Sequence, residues 1–285
     1  MNKNYLKVYL KGFAMGTCDV IPGISGGTIA FITGIYEKFI SSIKNLTNKD
    51  FFYMNLKLFK GDFKNFKKDF FKLNIDFLLI LFLGIFSAIF LISKLILYLL
   101  EYYQSLILSF FVGLIFASTI FIKKELKNYS FNNYLIGFIG FLIGLSFIFF
   151  NTTNLSSASL IYITFGGFLA ISAMFLPGIS GSFILYILGL YNIVYGALHN
   201  IIKEYKIILS FAIGAILGAI TISRVIDYLF KKDKCKTLFF LLGLVLGALS
   251  TPIKTIILST NFNIINTLLI VLFMILGYLI VIIIE

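Results

Sequence analysis

Charged residues are scarce in this sequence. Asp, Glu, Lys and Arg make up 13% of its 285 residues, whereas hydrophobic residues make up 60%, and the mean hydropathy is +1.01. No soluble fold hides that much apolar surface inside a single core. Water is therefore not the main solvent of this chain.

Cysteine and histidine are rarer still. The two cysteines, Cys18 and Cys235, are too few and too far apart in sequence for a disulfide framework or a metal cluster. The one histidine, His199, lies at the boundary of an apolar run. We therefore expect neither a bound metal nor another cofactor.

Long apolar runs dominate what is present. Runs of roughly 20 residues are long enough to cross about 30 Å of hydrocarbon as helices. They cover residues 77–100, 106–122, 134–150, 207–230, 237–253 and 264–284. The first twenty residues carry lysines but are interrupted by glycines and lead into no small-residue cleavage site, so no removable signal peptide is expected. The sequence predicts an all-α polytopic membrane protein with at least six crossings.

Lysine supplies nearly all of the positive charge, and the net charge is +12. The lysines flank apolar runs, as they do where cytoplasmic loops meet anionic lipid headgroups. Membrane lipids, not nucleic acid, are therefore the expected partners.

An internal repeat divides the chain into two copies, residues 1–150 and 151–285. The motif Pro-Gly-Ile-Ser-Gly-Gly at 22–27 returns as Pro-Gly-Ile-Ser-Gly-Ser at 177–182, an offset of 155. A second block aligns at an offset of 130, which pairs Gly84 with Gly214 and Lys94 with Arg224. The offsets differ by 25 residues, which marks an insertion in the first copy.

Lysine placement predicts how the copies lie in the membrane. Each copy begins with a Pro-Gly-broken segment, 5–43 or 158–198, followed by three spans. If each segment enters and leaves on one side, the amino terminus, the insertion at 44–76 and two lysine-rich loops share one face, which is then cytoplasmic. Three crossings per copy would make the repeats inverted, with both termini cytoplasmic and the protein in the cytoplasmic membrane.

The insertion shows rings at helical spacing with lysines between them. Phe59, Phe63, Phe66, Phe70 and Leu73 follow one another at intervals of four and three. This pattern predicts one amphipathic helix lying on the inner leaflet, rather than a solvated loop.

The Pro-Gly pairs are expected to end one half-helix and start another. Proline removes a backbone donor and glycine permits a sharp reversal, at Pro22-Gly23 and again at Pro177-Gly178. The residues that follow would present free amides and hydroxyls at a positive helix end, which suits a phosphate or carboxylate. These candidate ligands are Ser25, Gly26, Gly27 and Thr28 in the first copy, and Ser180, Gly181 and Ser182 in the second. The alternative is a small-residue hinge that lets helices pack closely.

Three ionisable residues are further candidates. Arg224 is the one arginine of the chain and lies inside a span, where its planar fork suits a phosphate. Lys94 is its counterpart, and inversion would give each leaflet one cation, although both could reach the headgroups by snorkelling. Asp227 could neutralise Arg224. Asp19, which is Met174 in the second copy, could carry a coupling proton or sodium ion, or could be structural.

This pattern resembles the polyprenyl-phosphate transporter family, formerly a bacterial and archaeal family of unknown function. The resemblance rests on the doubled Pro-Gly-Ile-Ser-Gly motif and spans nearly the whole chain, with Ser182 in place of glycine and the insertion as departures. It implies movement of undecaprenyl phosphate, or a related polyprenyl phosphate, from the outer to the inner leaflet. It also implies that the re-entrant tips match Ser25 to Thr28 and Ser180 to Ser182, and that the intramembrane basic position matches Arg224.

Two other functions fit parts of the pattern. The same tips could serve a small-anion transporter or channel. A membrane lipid phosphatase fits less well, because it needs a nucleophile or base beside the phosphate and no His-plus-Arg pairing appears. We therefore expect a lipid transporter that is not an enzyme. The pattern leaves its oligomeric state open.

Overall fold

The computed structural model describes residues 5–19, 25–122, 126, 129–149, 155, 157–199 and 202–284, and within them the chain is helical without strands. The helices are α1 (Tyr5–Asp19), α2 (Gly26–Ile32), α3 (Tyr36–Asn45), α4 (Lys49–Phe59), α5 (Phe63–Lys72), α6 (Ile75–Ile122), α7 (Phe131–Ser146), α8 (Leu160–Phe175), α9 (Gly181–Ile187), α10 (Tyr191–His199), α11 (Tyr205–Lys232), α12 (Lys234–Ala248), α13 (Ser250–Ser259) and α14 (Ile264–Ile284).

Six stretches of the described chain are long and apolar enough to cross a membrane. They are Ile75–Ile92, Tyr98–Ala117, Phe131–Phe149, Tyr205–Lys232, Lys234–Ser259 and Ile264–Ile282. The predicted multi-pass, all-helical membrane protein is confirmed. The first two spans are joined without a loop, because α6 continues through a kink at Tyr103, whose φ is −134°. The fifth span changes helix at Leu249, close to Pro252, which cannot donate a helical hydrogen bond.

Glycines let pairs of helices approach at their backbones. A Cβ added to Gly12 of α1 would lie 2.2 Å from the Leu81 carbonyl oxygen of α6, and one added to Gly167 of α8 would lie 2.4 Å from the Phe211 carbonyl oxygen of α11. The two contacts are related by the offsets of 155 and 130 found in the sequence. The α1–α6 and α8–α11 pairs therefore use the same packing at matching positions.

The remaining spans pack across the two copies. A Cβ on Gly113 of α6 would lie 1.9 Å from the Met274 carbonyl oxygen of α14, and one on Gly243 of α12 would lie 1.8 Å from the Gly137 carbonyl oxygen of α7. Gly113 and Gly243 differ by 130 positions, but Gly137 and Met274 differ by 137. The last spans of the two copies thus match at an offset that the sequence comparison did not find.

Both ends of the α1–α3 segment lie beside the start of α6. The Tyr5 hydroxyl donates to Asp76 Oδ2 at 3.2 Å, and the Asn45 side-chain amide donates to the Leu73 carbonyl oxygen at 3.5 Å. Between these ends, the Lys11 amine donates to the Thr33 carbonyl oxygen at 2.6 Å. The segment therefore doubles back on itself along the beginning of α6.

The insertion forms two helices, and α5 carries Phe63, Phe66 and Phe70 of the predicted amphipathic helix, whose place on the inner leaflet stays a prediction. Gly61, with a φ of +75°, separates α4 from α5. Phe66, Phe70 and Leu73 pack inward with Met54 in a small core of their own. Phe59 is 86% exposed at the turn. Part of the stripe thus packs against α4, whereas Phe63, which is 67% exposed, stays open like Phe59.

Candidate functional site

The first tip is capped by its own side chains. Ser25 precedes α2 with an extended backbone, and its Oγ accepts from the Gly27 amide at 3.1 Å. Asp19, at the end of α1, accepts from the Gly26 amide at 2.7 Å. A side-chain oxygen beside the first amides of a helix satisfies donors that have no partner within the helix. The protein's own carboxylate therefore occupies the place where an external anion was expected.

The second tip is built differently. Ser180 precedes α9 with the same extended backbone, but among the described residues its side chain caps no amide. Its Oγ instead lies 2.7 Å from Ser182 Oγ. The turn before it depends on Gly178, whose φ of +90° belongs to the region that glycine tolerates. Met174 stands where the first copy has Asp19, so this tip has no carboxylate of that kind.

The two tips touch each other. The Ser25 hydroxyl donates to the Met174 carbonyl oxygen at 3.0 Å, and the Gly178 amide donates to Thr28 Oγ1 at 2.7 Å. The Tyr36 hydroxyl donates to the Phe175 carbonyl oxygen at 2.9 Å. Ser25 and Thr28 are each 1% exposed. Residues about 150 positions apart thus meet at a buried contact that joins the two copies.

Small size at Gly27 is required for this contact. A Cβ on Gly27 would lie 2.7 Å from the Met174 carbonyl oxygen, a backbone atom that cannot rotate away. A Cβ on Gly26 would lie 2.7 Å from Asp19 Oδ2, so a larger residue there would displace the carboxylate that caps the helix. The close-packing role that the sequence left as an alternative is therefore real at these glycines.

Between the described residues of the two tips, the structure leaves no room for a headgroup. Two cavities border the contact, one beside Thr28 and Gly178 and one beside Ser180 and Thr251, and each measures about 10 Å³. A space of roughly 10–15 Å³ holds a single water. Binding of a phosphate between the tips therefore requires that they separate.

Of the two basic candidates, Arg224 contacts another part of the chain and the Lys94 side chain is not described. Arg224 is exposed, and its guanidinium donates to the carbonyl oxygen and Oγ1 of Thr47 at 3.3 and 3.2 Å. Within the described part of the chain, it makes no hydrogen bond to either tip. The side chain of Lys94 lies outside the described residues, as do Pro22 and Gly23, whereas Pro177 is fully buried. Joint capture of a headgroup by the tips and Arg224 stays a prediction.

Asp227 pairs with lysines, not with Arg224 as the sequence suggested. Its Oδ2 lies 2.5 Å from the Lys44 amine and 3.0 Å from the Lys231 amine. The pairing with Lys44 joins α3 to α11 across 183 positions. In the sequence, Lys44 is one of the insertion's lysines, and no local signal distinguishes it from the others.

Comparison with known proteins gives concordant matches. The undecaprenyl phosphate translocase-like family matches residues 15–282. A polyprenyl-phosphate transporter of Vibrio cholerae is 38% identical over 246 residues, covering 86% of this chain and 77% of that protein. A polyprenyl-phosphate transporter of Staphylococcus aureus is 31% identical over 256 residues, covering 84% of this chain and 83% of that protein.

No solved structure matches the chain. The family match takes in both tips, the contact between them and all six spans. The chain therefore belongs to the undecaprenyl phosphate translocase-like family.

Proposed function

We propose that this protein moves undecaprenyl phosphate, or a related polyprenyl phosphate, from the outer to the inner leaflet of the cytoplasmic membrane, where the lipid carrier is reused. The observation that carries the proposal is the buried meeting of the two glycine-serine tips, within a chain that matches a translocase-like family over residues 15–282. The names of both relatives describe transporters, not enzymes.

The two copies are inverted repeats in this proposal. The doubling back of α1–α3 beside Asp76 and Leu73 supports a segment that enters and leaves on one side. Three spans then follow in each copy, and an odd number of crossings turns the second copy over. The matched contacts at Gly12 and Gly167 support a common origin of the copies. Both termini and the insertion then face the cytoplasm.

Transport would proceed by separation of the tips. The hydroxyls of Ser25 and Thr28 would exchange Met174 and Gly178 for phosphate oxygens, with Ser180, Gly181 and Ser182 facing them from the other copy. Rocking of one copy against the other would then expose the headgroup to the opposite leaflet, while the prenyl chain stays in lipid. Arg224 and Lys94 would each supply a cation near one leaflet.

Asp19 is the proposed site of ion coupling. Its carboxylate holds the Gly26 amide at 2.7 Å in the closed tip. An arriving phosphate would compete for that amide, and binding of a proton or sodium ion would release the carboxylate from it. Substrate binding and ion binding would thereby be linked at one residue.

Leaflet exchange of a labelled prenyl phosphate in reconstituted vesicles tests the function. We expect exchange above that of protein-free vesicles, and a several-fold lower rate for Arg224→Ala than for Lys232→Ala, a control on the same helix. Exchange no faster than in protein-free vesicles would contradict lipid transport. Uptake of inorganic phosphate would favour a small-anion transporter, and release of inorganic phosphate from the lipid would favour an enzyme.

A further inference from the structure

A polar cleft lies between α3 and α11, at a different place from the contact between the tips. Its volume is about 280 Å³. Pockets for drug-sized ligands begin at roughly 300 Å³, so the cleft has room for a headgroup but not for a prenyl chain. The residues around it are Glu37, Ile40, Ser41, Lys44, Asn45, Asp227, Phe230 and Lys231.

Two lysines in the cleft converge on one carboxylate. The side chain of Asp227 is 9% exposed and accepts from both Lys44 and Lys231. Lys44 is 25% exposed and held in place, whereas Lys231 is 68% exposed and free to move toward another partner. One buried negative charge thus faces two positive charges, which leaves the pair of amines able to accept a second anion.

Further cations surround this pair. Arg224 precedes Asp227 by about one helical turn and already donates from its fork to Thr47. Lys234 pairs with Glu37 at 2.6 Å on the other side of the cleft. The cleft itself is lined by two lysines and two carboxylates, and Arg224 and Lys234 add two cations at its edges. Charged nitrogen donors in such number suit phosphate oxygens, which accept several charge-assisted hydrogen bonds at once.

The cleft also has a route for a lipid tail. Ile40 and Phe230 form its apolar wall. On α11, a membrane-spanning helix, the neighbouring residues Val225, Tyr228 and Leu229 are exposed. On the helix surface Tyr228 adjoins Arg224 and Lys231, at spacings of four and three, so a prenyl chain would leave the cleft past this ring, whereas Val225 and Leu229 lie toward the far side of α11.

The charges are not a property of the repeated unit. Lys44 of the first copy matches His199 in the second. Asp227 and Lys231 of the second copy match Leu97 and Glu101 in the first. The sequence offsets that reproduce the glycine packing in both copies do not reproduce this cluster. Helix packing by itself therefore does not require these charges. Among the described residues, the cluster is a feature of one face of the molecule.

We propose that the α3–α11 cleft is a second binding site for a phosphate monoester headgroup, in which the phosphate displaces the Asp227 carboxylate from Lys44 and Lys231. The inference rests on the proposed function, because it supplies a station for the same lipid on the lysine-rich face. In this proposal the headgroup binds first between the tips and then in the cleft, on its way to the inner leaflet.

The absence of tryptophan provides a direct test. Phe230→Trp introduces a single fluorescent reporter into the wall of the cleft, and farnesyl phosphate in detergent is the probe. We expect a saturable fluorescence change. The affinity for farnesyl phosphate that it reports should fall at least about 10-fold in Lys44→Gln/Lys231→Gln, because two charged donors are lost. Lys232→Gln, whose amine lies 5.8 Å over the Tyr228 ring, is the matched control and should bind as the parent does.

Two further variants address folding and competition. Asp227→Asn should tighten binding, because it removes the anion that the phosphate must displace. Lys44→Gln/Asp227→Asn removes both members of the closer pair and leaves no unpaired buried charge, so it separates loss of binding from loss of fold. Intact-protein mass spectrometry on the tryptophan-free parent counts the bound probe without any reporter.

The outcomes distinguish the two proposals. Equal binding by the Lys44→Gln/Lys231→Gln variant and the parent would overturn the cleft site, even where the wild type exchanges lipid between leaflets. Saturation by inorganic phosphate or by farnesol at the same concentrations would overturn its assignment to a lipid monoester. A wild type that binds farnesyl phosphate in the cleft but exchanges no lipid would overturn the proposed function and leave the site in place.

Discussion

The two tips share a sequence motif but differ in their chemistry. In the first, Ser25 and Asp19 accept from the opening amides of α2; in the second, Ser180 and Ser182 bond to each other and Met174 replaces the carboxylate. The first tip is therefore closed by its own anion, and the second is not. A repeated motif can thus keep its backbone geometry while the polar groups around it differ.

Exchanging the residues at which the motifs differ is expected to have the largest effect. Gly27→Ser gives the first tip the second tip's residue, but its Cβ would lie 2.7 Å from the Met174 carbonyl oxygen. Relieving such overpacking costs about 1–3 kcal/mol, so the tips should no longer close. We expect leaflet exchange to fall about 5-fold or more on the conversion of that energy.

The reverse exchange is the control for this prediction. Ser182→Gly removes a hydroxyl from the second tip, where it bonds to Ser180 within the same copy and not to the first tip. It should change exchange far less than Gly27→Ser does. Equal effects of the two substitutions would contradict the asymmetry.

Asp19 allows the difference in charge to be tested separately from the difference in capping. Asp19→Asn keeps an oxygen that can accept from the Gly26 amide, whereas Asp19→Met copies the second tip and removes it. Loss of a cap costs about 1 kcal/mol, so only the methionine variant should unfold at a measurably lower temperature. Both variants should lose the dependence of exchange on an ion gradient. A gradient dependence that survives Asp19→Asn would argue against coupling at this residue.

Tyr36 and its counterpart Tyr191 offer a smaller contrast. The Tyr36 hydroxyl bridges the copies by donating to Phe175, whereas the Tyr191 ring stacks on Tyr186 within its own copy, with ring centroids 3.8 Å apart. Tyr36→Phe should lower the free energy of unfolding by about 1 kcal/mol, the net contribution of one hydrogen bond. Tyr191→Phe should lower it less. Thermal unfolding in detergent measures both, and a larger loss at Tyr191 would count against the bridging role.

Helices α4 and α5 of the insertion, which the second copy lacks, should have the least influence on transport. Phe70 packs against the small core around Met54, whereas Phe59 is exposed at the turn. Phe70→Ala should therefore raise amide hydrogen exchange through α4 and α5, and Phe59→Ala should leave it unchanged. Leaflet exchange should change less than about two-fold in both. Similar hydrogen exchange in the two variants would show that α4 and α5 are not held together as described.

Much of the fold followed from local pattern. Apolar runs of span length predicted the six crossings, because a helix satisfies its own backbone and needs no distant partner in lipid. The offsets of 155 and 130 predicted which positions match, and Gly12 and Gly167 make matching contacts. The offset of 137 pairs Gly140 with Gly277, but it was missed because it is shifted by seven residues from the offset of 130 that aligns the preceding spans.

Side-chain partners were harder to predict. The stripe from Phe59 to Leu73 has helical spacing, but Gly61 turns the chain, and the spacing alone does not say whether a ring faces lipid or another helix. Arg224 was singled out as the one arginine of the sequence. Its neighbour Thr47 and the pairing of Asp227 with Lys44 depend on how α3 meets α11, which no local pattern encodes.

Composition and periodicity determined that this chain is a membrane protein, that it crosses the membrane as helices and that it carries one motif twice. They could do so because hydrophobicity and helical hydrogen bonding act over a few residues at a time. The folded arrangement decided that Ser25 and Thr28 meet Met174 and Gly178, that Asp19 covers an amide, and that Lys44 shares Asp227 with Lys231. These contacts join residues that are close in space but up to 183 positions apart, except for the capping by Asp19 and the pairing of Lys231. They exist because backbone-to-backbone packing at glycines fixes where each helix lies, and small changes in that packing select different neighbours.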